Sequence, residues 1–193
     1  MIAGKNVLKS HASVKRPPTG PVTENKNIEL SPAKDAKETA GLKNMYNTYK
    51  DAAENFTAQG QEHFRKGQYD DALKMFSAAM DSYKTVHSER HPNVAQCYNN
   101  IGNVYKAMGR FEVALVKYEE ALRILKIAFG DENANLAISL TNIGNVHYGM
   151  GRFEEALVMY EEAYRLKKDP KILNAIQDSK RQIGSGCCGC TVS

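Results

Sequence analysis

The chain has 193 residues, of which 25% are charged and 42% hydrophobic, and its formal net charge is +4. That composition suits a soluble body, and no run approaches the roughly 20 apolar residues of a membrane-spanning helix. Lys5, Lys9, Lys15 and Arg16, with no acid before Glu24, account for the whole charge excess, so the remainder is neutral and carries no domain-wide basic footprint for nucleic acid.

The first segment, residues 1–42, reads as a disordered tail. Its stretch "KRPPTGPVTENKNIELSPAK" is rich in proline and has little to bury, so ordering it would cost more than it returns. "MIAGKNVLKS" lacks the apolar run of a secretory signal, Ile2 stands where myristoylation needs glycine, and one arginine is thin for a transit peptide. Ser31, before Pro32, belongs to a dipeptide too common to carry a modification site by itself.

Residues 43–168 contain an internal repeat. "FTAQGQEHFRKGQYDDALKMFSAAM" from Phe56, "YNNIGNVYKAMGRFEVALVKYEEAL" from Tyr98 and "LTNIGNVHYGMGRFEEALVMYEEAY" from Leu140 are spaced by 42 residues. Gly60, Gly102 and Gly144 coincide, as do Gly67, Gly109 and Gly151, and Ala72, Ala114 and Ala156. Each unit (about 56–86, 98–128 and 140–168) predicts two helices. The second glycine suits the left-handed turn after helix A. In helix B, Phe111, Ala114, Leu115, Tyr118, Ala121 and Leu122 form one apolar stripe. A single hairpin cannot hide that stripe, so the units must stack.

These positions resemble the tetratricopeptide repeat (TPR) family, and the 42-residue period, with "HPNVAQCYNNIG" leading into helix A, is most like the repeats of kinesin light chains. Lys84, Lys126 and Lys168 replace the family's usual proline. The resemblance implies an all-α fold: three helix-turn-helix units stacked as a right-handed α-solenoid. Residues 169–184 then predict a capping helix, with Asp169 as its cap, Pro170 in its first turn, and Ile172, Leu173, Ile176 and Ile183 over the end of the stack.

The family's ligands are implied to lie as extended peptides on the concave face made by the A helices. Carried over by position, that face holds Thr57, Ala58 and Gln61 in the first unit, Asn99, Asn100, Asn103 and Lys106 in the second, and Thr141, Asn142, Asn145 and Tyr148 in the third. An amide both donates and accepts, so such a ladder can grip a peptide backbone without dictating its sequence. The clamp by which TPR co-chaperones hold a terminal carboxylate is Lys, Asn, Asn, Lys and Arg. Here those positions are Thr57, Gln61, Asn100, Ile138 and Asn142, and every cation is missing.

No catalytic constellation is legible. His87 and His91 stand before Pro92, where helix is disfavoured, so no metal site is assigned. His63 and His147 occupy one repeat position and read as packing residues, and Cys97 reads as a buried thiol. No cofactor or small-molecule substrate is expected.

Residues 185–193 read as a flexible cysteine-rich tail. Cys190-Thr191-Val192-Ser193 fits a prenylation box in which terminal serine selects farnesyl, and Cys187 and Cys188 sit where palmitoylation would supply the second signal that stable attachment needs. The expected function is a non-enzymatic adaptor binding a partner protein through its groove at the cytoplasmic face of a membrane, with a cytosolic pool. The alternative is a soluble cytoskeletal, motor-associated or ciliary structural protein.

Overall fold

The computed structural model describes residues 36–186, and among them are seven helices and no strand. They are α1 (Ala36–Arg65), α2 (Tyr69–Val86), α3 (Pro92–Ala107), α4 (Phe111–Phe129), α5 (Leu136–Gly149), α6 (Phe153–Leu166) and α7 (Pro170–Gly186). The pairs α1/α2, α3/α4 and α5/α6 are three hairpins, each following the last, and α7 packs on α6. The result is an all-α stack closed at its C-terminal end by a single helix.

Each hairpin turns in the same way. Gly67, Gly109 and Gly151 have φ of 74°, 74° and 75°, the left-handed region that only glycine enters without cost. In the middle hairpin the Gly109 N–H donates to Lys106 O at 3.0 Å and the Arg110 N–H to Tyr105 O at 2.9 Å. The same two bonds recur after α1 and α5, so three Schellman turns satisfy the ends of the A helices and aim each B helix back along its partner.

The first glycine of each unit has a different task. A Cβ built on Gly60, Gly102 or Gly144 would stand 2.7, 2.6 and 2.6 Å from the rings of Phe76, Tyr118 and Tyr160. Each B-helix ring therefore lies directly against the backbone of its own A helix, where any side chain would exclude it. The rings are buried (2%, 0% and 2% exposed), and Ala72, Ala114 and Ala156 beside them are wholly enclosed.

Loops between hairpins start the next A helix. His91 caps α3, its Nδ1 accepting from the Asn93 N–H at 3.2 Å, with Pro92 in the first turn, where its missing donor costs nothing. The Asp169 carboxylate does the same for α7, accepting from the Lys171 N–H at 2.9 Å.

The first helix runs well before the repeat, from Ala36, and at 30 residues it is nearly twice the length of α3, which has 16. The last helix ends at Gly186. One expectation needs correcting: Leu173 does not cover the stack, because Ile172, Ile176 and Ser179 are buried at i, i+4, i+7 spacing, which turns Leu173 outward to 37% exposure. The cysteines of the tail lie outside the described residues.

Replacing Gly102 by alanine is expected to destabilise the protein by about 2–3 kcal/mol, since the ring of Tyr118 must leave the helix surface. Gly184→Ala, where nothing lies within 4 Å, should instead be neutral or slightly stabilising. Urea unfolding of the two variants beside wild type checks both.

Candidate functional site: an amide-lined cleft on the A helices

The A helices present their polar residues on a face shared by α3 and α5. A cleft of about 340 Å³ is lined there by Gln96, Asn99, Asn100 and Asn103 of α3, Leu125 of α4, and Ile138 and Asn142 of α5, with Asn135 at the entrance to α5. A second hollow of about 200 Å³ runs on towards α7, lined by Ala137, Thr141, Lys167, Asp169, Lys171 and Ile172. Both include Ile138 and Asn142, so the two hollows adjoin across these side chains. Ile138 stands there with 58% of its surface exposed.

Of the residues expected to face a ligand, Asn99, Asn100, Asn103 and Asn142 meet in this cleft. Gln61, Lys106, Asn145 and Tyr148 line neither hollow. Gln61 is exposed on α1, and Tyr148 sets its ring edge-on to Phe153 at 5.1 Å between centroids. Lys106 is half-buried, and burial holds its ammonium below the ordinary lysine range.

The amides divide by their bonds. Asn103 Oδ1 accepts from the Tyr118 hydroxyl at 2.7 Å, and Asn145 Oδ1 from the Tyr160 hydroxyl at 2.8 Å. Burial raises the pKa of both phenols, Tyr160 to about 12, so both are protonated donors at neutral pH. Asn99, 9% exposed, pairs with fully buried Ser139: its Nδ2 donates to Oγ at 3.0 Å and its Oδ1 accepts from Oγ at 3.1 Å. That pair joins α3 to α5. Asn99, Asn103 and Asn145 thus serve the fold first.

Asn100 and Asn142 differ. Neither has a side-chain bond to another described residue, and Asn100 Nδ2 is a buried donor without an acceptor. Such a donor costs about 1–3 kcal/mol until something satisfies it.

A sequence signal for the structural amides existed. Where units two and three have tyrosine with asparagine, unit one has Phe76 with Gln61, so the amide changes when the hydroxyl is lost. Gln96 could have been found from its i, i+4 spacing to Asn100.

The remaining candidates have structural roles. Cys97 is 1% exposed and burial pushes its thiol up to about 12, which makes it inert. His87 and His91 stack with parallel rings 3.7 Å apart, so their nitrogen lone pairs do not converge on one ion.

Three antiparallel helix pairs on one period, each with a ring on glycine and a Schellman turn, define a helical-hairpin solenoid with a polar face on its A helices. A family model described as tetratricopeptide repeat matches residues 51–127 and 117–169, more than half of the chain, and the protein belongs to that family. Solved structures share the fold. BtubC (BKLC) from P. vanneervenii is 22% identical with a TM-score of 0.62, covering 68% of this chain and 56% of its own. The first TPR of Spaghetti (RPAP3), bound to an HSP90 peptide, is 18% identical with a TM-score of 0.55, covering 70% and 95%. The TPR2AB domain of yeast Sti1, in complex with an HSP90 peptide, is 16% identical with a TM-score of 0.60, covering 69% and 48%. The chain therefore spans little more than half of BtubC and about half of the Sti1 domain pair. No curated protein matches in sequence.

A double-mutant cycle tests the structural amides. Tyr118→Phe and Asn103→Ala should each cost about 0.5–1.5 kcal/mol, and the pair together less than their sum by about 0.5 kcal/mol or more. Additive effects would remove the bond from the account.

Proposed function

We propose that this protein is a non-enzymatic interaction adaptor whose A-helix groove holds an extended segment of a partner protein. The observation that carries the reading is the cleft itself: Asn100 and Asn142 repeat one period apart in its lining, free of bonds to the fold. Rotation of the Asn100 side chain would bring its buried amide N–H into the cleft to take a peptide carbonyl, and Asn142 could pair with the backbone one step further on. Exposed Ile138 between the two hollows offers an apolar seat for a ligand side chain. The spacing likeness to kinesin light chains belongs to the same reading.

The Spaghetti and Sti1 structures hold HSP90 ligands, but capture of a chaperone's terminal carboxylate fits this groove less well. At two positions where that clamp wants cations, this groove has Ile138 and Asn142, and neutral groups cannot replace the charged donors a desolvated carboxylate needs.

Changing Asn100 and Asn142 together to alanine should weaken partner binding roughly tenfold without lowering the melting temperature, since neither side chain bonds the fold and the change removes an unpaired buried donor. Quantitative pull-down of wild type and variant measures it, and equal partner recovery would reject the groove.

The second part of the proposal is attachment to the cytoplasmic face of a membrane through farnesyl on Cys190 and palmitoyl on Cys187 or Cys188. No described helix is long and apolar enough to cross a membrane. The support is the sequence Cys190-Thr191-Val192-Ser193 with its neighbouring thiols. Two lipids suffice where one holds only marginally. Cys190→Ser should move the protein from the membrane to the soluble fraction on cell fractionation, and unchanged partitioning would refute the anchor.

A further inference from the structure

We propose that His87 and His91 form a pH-sensitive latch at the junction of the first two hairpins, closed when both rings are neutral, that ties the N-terminal extension of α1 to the start of α3. The geometry is a short chain of rings. The imidazoles stack 3.7 Å apart with 6° between their planes. Tyr46 of α1 meets His87 edge-on, with centroids 5.6 Å apart and planes at 87°. Tyr83 of α2 lies beyond, 6.4 Å from His87. At the other end, His91 Nδ1 accepts the Asn93 N–H and so caps α3.

Each contact requires neutral rings. A proton on His91 Nδ1 would set N–H against N–H and remove the cap. Two stacked imidazolium ions at this separation repel strongly in a half-buried site. The surroundings do not compensate. From α1 the facing groups are Tyr46 and Lys50, and the Lys50 ammonium, ion-paired with Glu54 at 3.6 Å, opposes a proton on His87. From α2 the group is Tyr83, a phenol that burial keeps protonated. Glu89 and Arg90 of the intervening loop are exposed to solvent, and the first turns of α3, Pro92 to Cys97, contain no charged residue.

The titrations agree with the geometry. Burial, and then Lys50, hold His87 below its ordinary 6.5, and burial, and then His87, hold His91 below the same value. The folded protein therefore binds fewer protons than the unfolded chain as pH falls through 6.5. The latch is fully closed above that value and is lost progressively below it.

The segment it restrains has few other holds. Leu42 and Met45 are 56% and 50% exposed, and Tyr46 and Tyr49 are 38% and 39% exposed along the same face. Opening frees this face together with the first turn of α3.

Amide hydrogen exchange on the full chain tests the proposal. Between about pH 7.5 and about pH 5.5, protection at residues 42–50 and 93–95, corrected for intrinsic rates, should fall about tenfold, while the α5/α6 hairpin is unaffected. In His87→Phe/His91→Asn, which keeps an uncharged ring under Tyr46 and a capping acceptor before Asn93, protection should be the same at both pH values. Equal protection of wild type at both pH values, or the same loss in the double variant, overturns the latch. Should the variant not fold, NMR titration of the wild-type imidazoles decides: two coupled steps below 6.5 support it, and two independent ordinary titrations overturn it.

Discussion

In every hairpin one aromatic ring of the B helix lies directly against the A-helix backbone at a glycine, and the rest of the architecture is arranged around that contact. It sets the distance between the two helices at the smallest separation a ring permits, and it fixes their rotation, because only one residue in each A helix lacks a side chain there. The turn glycines serve the same end. A Schellman turn sends the B helix back at an angle that lets Tyr118 find Gly102 and Tyr160 find Gly144. Once the ring is seated, its hydroxyl reaches Asn103 or Asn145 on the polar side. A buried core contact thereby orients side chains at the edge of the groove, and the neighbouring Asn100 and Asn142 are presented to the cleft by the same rotation.

This contact also explains why the face is built of amides. A hydroxyl emerging from the core at the groove's edge needs an acceptor. Asparagine is short enough to meet it without leaving the helix surface, and it still offers its own N–H groups. Ser139 and Asn99 do the equivalent between hairpins, exchanging two bonds in a fully enclosed position. A charge in either place would have to be desolvated without a partner. The neutrality of the α3/α5 cleft is thus partly imposed by packing, and charged residues enter only in the hollow towards α7, with Lys167, Asp169 and Lys171.

What could be read from the sequence was whatever the repeat wrote three times. The two glycine columns, the small residues beside them and the aromatic stripe each recur at one spacing, and periodic features of that kind fix helix pairs and their stacking. What occurred once was harder. Leu173 sits one residue off the buried stripe of α7, and a single helix without a repeated counterpart gave no second copy to reveal its phase. The start of α1 lies upstream of the repeated units, so no second copy of it exists to reveal where the helix begins. Repetition also carried a second meaning. The echo of Asn103 in Asn145 includes a tyrosine–asparagine bond in both units, visible in the sequence only by comparison with Phe76 and Gln61.

A stack of hairpins holds together through nearest neighbours, so its two ends are its weak points, and this chain treats them differently. The C-terminal end is covered: Ile172 and Ile176 of α7 go into the core, and an exposed Lys180–Glu161 pair at 3.0 Å also links α7 to α6. The N-terminal end carries a helix longer than its hairpin needs, with an apolar face half open to solvent beside two stacked histidines. Loss of the His91 cap acts on α3 within its first turn, because capping supplies only the amides that have no partner there. Gln96 lies just past that turn and Asn99 and Asn100 lie a further turn on, where intrahelical bonds and the Ser139 pair hold the helix independently. The end of the stack can therefore respond to pH while the amides of the cleft keep their places.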